Sequence, residues 1–229
     1  MLSKIHDAMR KEQKMNIEFS ASMMCANYAN LEKEVKSLDA AGIDSYHIDI
    51  MDGNFVDNFG MGFQDMEYIR SATKKDLEIH LMMQSPERYL DILKQVNANV
   101  AYIHPESTYA TEYVIEKMRN LGVVPGIAIN PGTSIYSIME LLNIVDKVLV
   151  LCVNPGHAGR QFEPYVTKKI EELLRIKDEY QYEVYLDGAC TFDRIQTYSK
   201  KGVKGFVLGT SVLFGHQEGY QEILSNLRQ

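Results

Sequence analysis

The 229-residue sequence contains only three cysteines, Cys25, Cys152 and Cys190, and they lie far apart. Their number and spacing exclude a disulfide framework and a Cys-x-x-Cys metal site. The chain also lacks any apolar run near the roughly 18 residues of a membrane span, and its longest apolar runs have strand length. We therefore expect no membrane partner, and reduced thiols of the kind found in cytoplasmic proteins.

Positive charge is scarce as well, since 24 Lys and Arg residues stand against 31 Asp and Glu residues, giving a net charge of −7. The basic residues are scattered, which argues against nucleic acid as a partner. Residues 1–16 are polar and lack the apolar centre of a secretory signal. We expect a cytoplasmic protein in which residues 1–16 form an N-terminal extension, either helical or poorly ordered, with Met15 as an alternative start.

An alternation of segment types runs through residues 17–229, which contain no short repeat or linker and are predicted to form a single domain. Apolar runs predict strands near 17–25, 45–51, 77–82, 100–104, 123–129, 147–153, 182–187 and 204–209. Amphipathic segments predict helices near 28–41, 64–73, 86–97, 110–121, 135–143, 164–179, 191–201 and 217–227. Eight strand–helix units predict an α/β fold closed into a (β/α)8 TIM barrel. The alternative, an open doubly wound sheet, lacks a Gly-x-Gly-x-x-Gly motif after the first strand.

Polar side chains gather where three predicted strands end, which is where barrel enzymes place their chemistry. Because side chains alternate along a strand, His47, Asp49 and Met51 share one face of the second strand. The same alternation directs His80 and Met82 inward on the third strand. The seventh strand ends at Asp187. Two imidazoles and two carboxylates at one rim predict a site for one divalent metal ion, held by His47, Asp49, His80 and Asp187. The alternative is a buried His–Asp network that only stabilises the barrel.

Glycine-rich turns near the same rim predict a phosphate site. Gly188-Ala189 follows the seventh strand and Gly209-Thr210-Ser211 follows the eighth, where backbone N–H groups can approach an anion. The loop 154–161 after the sixth strand is glycine-rich enough to act as a lid. On the first strand, Ser22 is either a ligand for a sugar oxygen or a satisfied core hydroxyl. The nearby methionines, Met51 and Met82 among them, either line the pocket or pack the core.

Two carboxylates facing one metal suit the inversion of a carbon next to a ketone. Asp49 and Asp187 are predicted to be the catalytic pair, one removing the C3 proton of a ketose and the other returning a proton to the opposite face of a cis-enediolate. The sequence does not assign either carboxylate to a particular epimer.

From about Ile17 onward the chain resembles the ribulose-phosphate 3-epimerase family. The resemblance rests on Ser22, the run His47-Ile48-Asp49-Ile50-Met51-Asp52-Gly53, His80-Leu81-Met82, Asn130-Pro131-Gly132-Thr133, Pro155-Gly156, Asp187-Gly188 and Gly209-Thr210-Ser211. It implies a zinc, iron, manganese or cobalt ion on the four predicted ligands, and a dimer or hexamer. The substrate-binding residues that follow from the strand ends and the resemblance are Ser22, Met51, His80, Met82, Gly156, His157, Ala158, Gly159, Asp187, Gly188, Ala189, Gly209 and Thr210.

The substrate is predicted to be a phosphorylated ketose, either D-ribulose 5-phosphate, epimerised to D-xylulose 5-phosphate, or D-allulose 6-phosphate, epimerised to D-fructose 6-phosphate. Three local details resemble the allulose branch: His104-Pro105-Glu106, Asp187-Gly188-Ala189-Cys190, and Leu213-Phe214 after the eighth-strand turn. The alternative for His104 is a packing residue at the end of a strand. Two alternatives keep the fold: a phosphosugar aldolase or decarboxylase, which needs an inward lysine, and a non-catalytic phosphosugar-binding barrel.

Overall fold

The apolar runs form eight parallel strands arranged in chain order around a closed barrel. The computed structural model describes residues 17–229. Its strands are β1 Glu18–Ser22, β2 Ser45–Met51, β3 Asp76–Met82, β4 Val100–Ile103, β5 Val124–Ile129, β6 Lys147–Leu151, β7 Glu183–Asp187 and β8 Gly205–Leu208. Strand β8 pairs with β1, so the barrel is closed. The predicted single-domain (β/α)8 TIM barrel is confirmed, and the open doubly wound alternative is wrong.

Amphipathic helices cover the outside of the barrel. They are α1 Leu31–Ala41, α2 Phe63–Ala72, α3 Asp91–Gln95, α4 Thr111–Asn120, α5 Val166–Tyr180, α6 Phe192–Lys201 and α7 Tyr220–Leu227. Helix α1 is followed by Gly42, whose left-handed backbone (φ 85°) lets its N–H bond to carbonyls of the last turn. No helix within residues 17–229 is both long enough and apolar enough to cross a bilayer. The predictions for residues 1–16 lie outside the described residues.

Two of the predicted helices differ from the structure. In place of a helix over 135–143 there are two single 3-10 turns, Ile135–Ser137 and Leu141–Asn143. The Ser137 hydroxyl donates to the carbonyl of Ser134, and the Asn143 amide donates to the carbonyl of Glu140. These side chains compete for carbonyls that a continuous helix would use. The predicted helix 86–97 is likewise divided into a 3-10 turn at Pro86–Arg88 and the short α3.

The barrel interior is filled by large side chains set beside small ones. Tyr102, Leu149 and Tyr185 are buried there. Tyr102 on β4 is the register partner of Gly126 on β5, so the ring occupies the space that a larger residue at 126 would need. This packing closes the barrel below its C-terminal rim, which makes the rim a pocket rather than a pore.

We expect Gly126→Ala to destabilise the protein by about 1–3 kcal/mol, the usual cost of overpacking a core. A Cβ atom at this position would lie 2.4 Å from Cδ1 of Tyr102 and 3.2 Å from the carbonyl oxygen of Lys147. Urea denaturation measures the change. Gly132→Ala is the matched control, because a Cβ there meets nothing within 4 Å. Equal stabilities for the two variants would contradict this description of the interior.

Candidate active site

The register of β2 and β3 brings together the polar side chains at their ends. Asp49 is the partner of His80, and His47 is the partner of Glu78. All four side chains are buried, with both imidazoles fully inaccessible to solvent. The isoleucines that alternate with them on β2 face the helices, as the predicted alternation requires. Strand pairing alone therefore concentrates two imidazoles and two carboxylates in one small volume.

The four predicted metal ligands converge, because one possible ligand atom from each of His47, Asp49, His80 and Asp187 lies within 4.8 Å of every other. His80 Nδ1 is 3.0 Å from Asp49 Oδ1, and His47 Nε2 is 3.4 Å from both atoms. Ligands at about 2.1 Å from an ion, with angles of 90–110°, would be about 3.0–3.4 Å apart. The described residues thus contain a cluster that could hold one divalent metal ion.

The charges in this cluster also suit a cation. Burial raises the pKa of Asp187, and the negative charge of Asp49 raises it further. At Asp49, burial is outweighed by His47 and His80, which hold the pKa of its carboxyl below the ordinary value. Burial alone would lower the pKa of His47, but Asp49 and Glu78 reverse this effect and raise the pKa to about 10. Buried carboxylates require neutralisation, and a bound divalent cation supplies it.

Glu78 supports the cluster from behind and was not identified as a site residue from the sequence. Its Oε2 lies 3.6 Å from His47 Nδ1, the nitrogen that faces away from the other ligands. Its Oε1 accepts a hydrogen bond from Ser45 Oγ and lies 3.8 Å from Lys147 Nζ. Carboxylates commonly orient metal-binding imidazoles in this way. The signal was present, because Glu78 shares the inward face of β3 with His80.

A cavity opens above the cluster at the C-terminal end of the barrel. Most of the predicted site residues line it: Ser22, Asp49, Met82, Gly156, His157, Ala158, Gly159, Asp187, Gly188, Ala189, Gly209 and Thr210. His47 and His80 lie buried beneath it, and Met51 packs against Met82 and Val56 without lining the cavity. Ser22 Oγ donates a hydrogen bond to Asp49 Oδ2 at 3.1 Å, so its hydroxyl is partnered and still at the cavity wall. The cavity is also lined by residues that were not among the predicted substrate-binding residues, including Cys25, Leu151, Val153 and Arg160.

The turns after β7 and β8 stand side by side on one wall of the cavity. Gly188 and Ala189 adopt consecutive left-handed conformations, with φ of 90° and 51°. Successive residues of this kind can direct N–H groups toward an anion. After β8, the N–H groups of Leu213 and Phe214 bond back to the carbonyl of Gly209, which forms a helical turn beginning at the cavity. The start of such a turn is suited to anions.

Arg194 fixes the first of these turns and was not identified from the sequence. Its Nη1 donates to the carbonyl of Ala189 at 2.9 Å. Its guanidinium also lies 4.5 Å from the centre of the Phe162 ring, just beyond the loop 154–161. One side chain therefore connects the turn after β7 to the segment that follows the predicted lid.

The loop 154–161 crosses the rim and contacts the loop after β2. Asn58 Nδ2 donates to the carbonyl of Gly156 at 2.6 Å, and His157 Nε2 lies 3.3 Å from Asp57 Oδ1. Both contacts are at the outer edge of the cavity, where Asp57 is largely exposed. The two loops thus meet at the edge of the cavity, a position compatible with a lid.

Comparison with known proteins agrees with this architecture. The sequence model of the ribulose-phosphate 3 epimerase family matches residues 18–213. The ribulose-phosphate 3-epimerase of Methanocaldococcus jannaschii is 30% identical over 217 residues, which cover 93% of this chain and 90% of the relative. The enzyme of the same name from Bacillus subtilis is 31% identical over 215 residues, covering 93% and 98%. The chloroplastic ribulose-5-phosphate-3-epimerase of Arabidopsis thaliana is 32% identical over 219 residues, covering 94% and 77%.

These matches confirm the family resemblance seen in the strand-end motifs. They do not bear on the details that resemble the allulose branch, and that assignment stays a prediction. The enzyme class follows from the family, since the relatives are named as epimerases of a sugar phosphate. This chain belongs to the ribulose-phosphate 3-epimerase family and is an isomerase of the carbohydrate epimerase class.

Proposed function

We propose that this protein is a divalent-metal-dependent 3-epimerase of a phosphorylated ketose. The observation that carries the proposal is the placement of two buried carboxylates, Asp49 and Asp187, at one cluster below the cavity. They come from β2 and β7, which are separated by β1 and β8 in the barrel. Two separate strands can therefore present a carboxylate to opposite faces of one carbon atom.

The residues that would hold the ion are His47 through Nε2, His80 through Nδ1, and the carboxylates of Asp49 and Asp187. This mixture of nitrogen and oxygen donors suits zinc, iron, manganese or cobalt. A bound divalent ion would polarise the ketone, acidify the C3 proton and stabilise negative charge on the oxygens.

The reaction itself is assigned to the two carboxylates. One removes the C3 proton from one face of the ketose, which gives a cis-enediolate, and the other delivers a proton to C3 from the opposite face. Before an ion binds, the two carboxyl groups have different surroundings. The pKa of Asp187 is raised by burial and by Asp49, whereas the pKa of Asp49 is held down by the two histidines.

The phosphate is assigned to the wall formed by the turns after β7 and β8, together with the lid glycines. These backbone segments line the same cavity as the catalytic carboxylates. A phosphate held there would fix the distance between the anchored end of the sugar and C3. Arg160, which lines the cavity beside Gly159, adds a positive charge to this wall.

Two substrate pairs follow from different observations. The names of the relatives support D-ribulose 5-phosphate, whereas the local motifs around His104 and Ala189 support D-allulose 6-phosphate. Measuring kcat/KM for both ketoses with metal-loaded protein tests the two options, and the ketose with the higher kcat/KM is the substrate. Failure to epimerise either ketose would overturn the proposal. A homo-oligomer of two or six subunits stays a prediction that mass photometry tests.

We expect Gly188→Ala to raise KM for the phosphorylated ketose by about 10- to 100-fold, the loss of one or two hydrogen bonds to a charged group. The residue has φ +90°, and a Cβ atom would lie 2.6 Å from Val153 Cγ2, so the turn must shift away from its present position. Steady-state kinetics measure the change, with kcat affected less than KM.

The matched control is Gly42→Ala, which imposes a similar backbone penalty far from the cavity. Gly42 has φ +85°, and a Cβ there meets nothing within 4 Å. We expect this variant to lose stability while KM is unchanged. A normal KM in Gly188→Ala would contradict the assignment of the turn to the phosphate.

A further inference from the structure

The outward nitrogen of His80 has an unusual partner. His80 Nε2 lies 2.9 Å from Nε2 of His104, a residue at the end of β4 that is completely buried. The outward nitrogen of His47 instead faces the carboxylate of Glu78. The two predicted imidazole ligands are thus supported differently, one by an acid and one by a second imidazole.

The protons of this pair can be assigned from the requirements of a ligand. His80 Nδ1 is the nitrogen that faces Asp49 Oδ1 and His47 Nε2, so it is the one that would bind the ion. A ligating nitrogen carries no proton, so the single proton of neutral His80 is on Nε2. That N–H must donate to His104 Nε2, which leaves the proton of His104 on Nδ1.

The surroundings of His104 agree with this tautomer. Its Nδ1 lies 3.9 Å from Oε1 of Glu106, beyond hydrogen-bonding distance, and forms no hydrogen bond within the described part of the chain. Glu106 Oε1 is held by Asn130 Nδ2 at 2.7 Å and by Thr133 Oγ1 at 2.9 Å. A carboxylate fixed on this side favours a proton on Nδ1.

The position of the His104 ring is also fixed by packing. The Phe55 ring lies 4.6 Å from it, centre to centre, and the His80 ring lies 5.1 Å from it. Because His104 is a neutral acceptor, it supports His80 without adding negative charge to a site that already contains Asp49, Asp187 and Glu78.

We propose that His104 is a positioning residue that accepts a hydrogen bond from His80 Nε2 and thereby holds His80 in the tautomer and orientation that bind the metal. Glu106, 3.9 Å from His104 Nδ1, favours a proton on that nitrogen through its charge, without a direct hydrogen bond. The inference rests on the proposed metal site, and it extends the functional network from the cluster to the loops after β4 and β5.

Two variants distinguish the effect of the hydrogen-bond acceptor at residue 104 from the effect of side-chain volume. His104→Gln retains an oxygen acceptor near the position of Nε2, whereas His104→Leu fills similar space without one. We expect His104→Leu to bind zinc about 10- to 100-fold more weakly than the native protein, in a competition assay with a chromogenic chelator. His104→Gln is expected to recover most of this loss. Thermal unfolding of the metal-free variants checks that both are folded.

The native protein provides a second test that needs no variant. In the zinc-loaded protein, ¹⁵N NMR of the imidazoles is expected to show a proton on His80 Nε2 and no proton on His104 Nε2. A proton on His104 Nε2, or native zinc affinity in a folded His104→Leu variant, would overturn the inference. If the native protein itself bound no zinc, manganese or cobalt, the proposed metal site would fail first, and the two failures are therefore distinguishable.

Discussion

Asp187→Asn is expected to lower the rate of epimerisation by about 10²- to 10⁴-fold, the range contributed by a positioned acid or base. Asparagine keeps the shape and an oxygen atom but cannot carry the proton. Asp49 remains in place, so one epimer of the substrate should still exchange its C3 proton with solvent deuterium. Exchange without inversion is the specific signature of a site that has lost one of two proton-transfer groups.

Proton NMR in deuterated water measures exchange and inversion in the same sample, with metal content verified for each protein. Asp178→Asn is the control, because Asp178 is an exposed carboxylate on α5, far from the cavity. We expect it to behave as the native protein does. If Asp187→Asn inverted the substrate at the native rate, Asp187 would be excluded as a proton-transfer group.

Removal of the metal has the second large expected effect. A chelator should abolish turnover, because among the described residues that line the cavity the one Lys or Arg is Arg160, which we assign to the phosphate rather than to the ketone. It should also lower the melting temperature. An ion present at about 100 times its dissociation constant stabilises the native state by about 2.7 kcal/mol. The melting temperature of a chain of this size changes by about 2–4 °C for each kcal/mol.

Activity assays and thermal unfolding after chelation test this expectation, followed by addition of single ions. Zinc, manganese, iron or cobalt should restore both activity and melting temperature, and magnesium should restore neither, because two imidazoles are poor ligands for it. Full activity in protein shown to be free of transition metal would contradict the proposed chemistry.

The fold could be predicted from the sequence because barrel strands are short, buried on both faces and separated by amphipathic helices. The same regularity located the cluster, since alternation on β2 and β3 determines which side chains face inward. His47, Asp49, His80 and Asp187 therefore come together as expected. Alternation does not specify how two strands are aligned, and the pairing of His47 with Glu78 depends on that register.

The remaining differences have a local cause in one case and depend on tertiary contacts in the others. The segment 135–143 has an apolar pattern compatible with a helix, but Ser137 and Asn143 bond to nearby carbonyls and leave only 3-10 turns. Arg194 contacts the carbonyl of Ala189 and the ring of Phe162, and these two groups come close to each other only in the folded chain. His104 stood out as a strand-end residue, but its contact with His80 depends on the register of the adjacent strands β3 and β4.

The most direct test of the account is the fate of the C3 proton when metal-loaded protein converts either ketose phosphate in deuterated water. Two-carboxylate epimerisation predicts that every molecule of the product epimer carries deuterium at C3 and retains its protons at C1. A product that kept its original C3 proton, or that gained deuterium at C1 instead, would contradict proton transfer by Asp49 and Asp187.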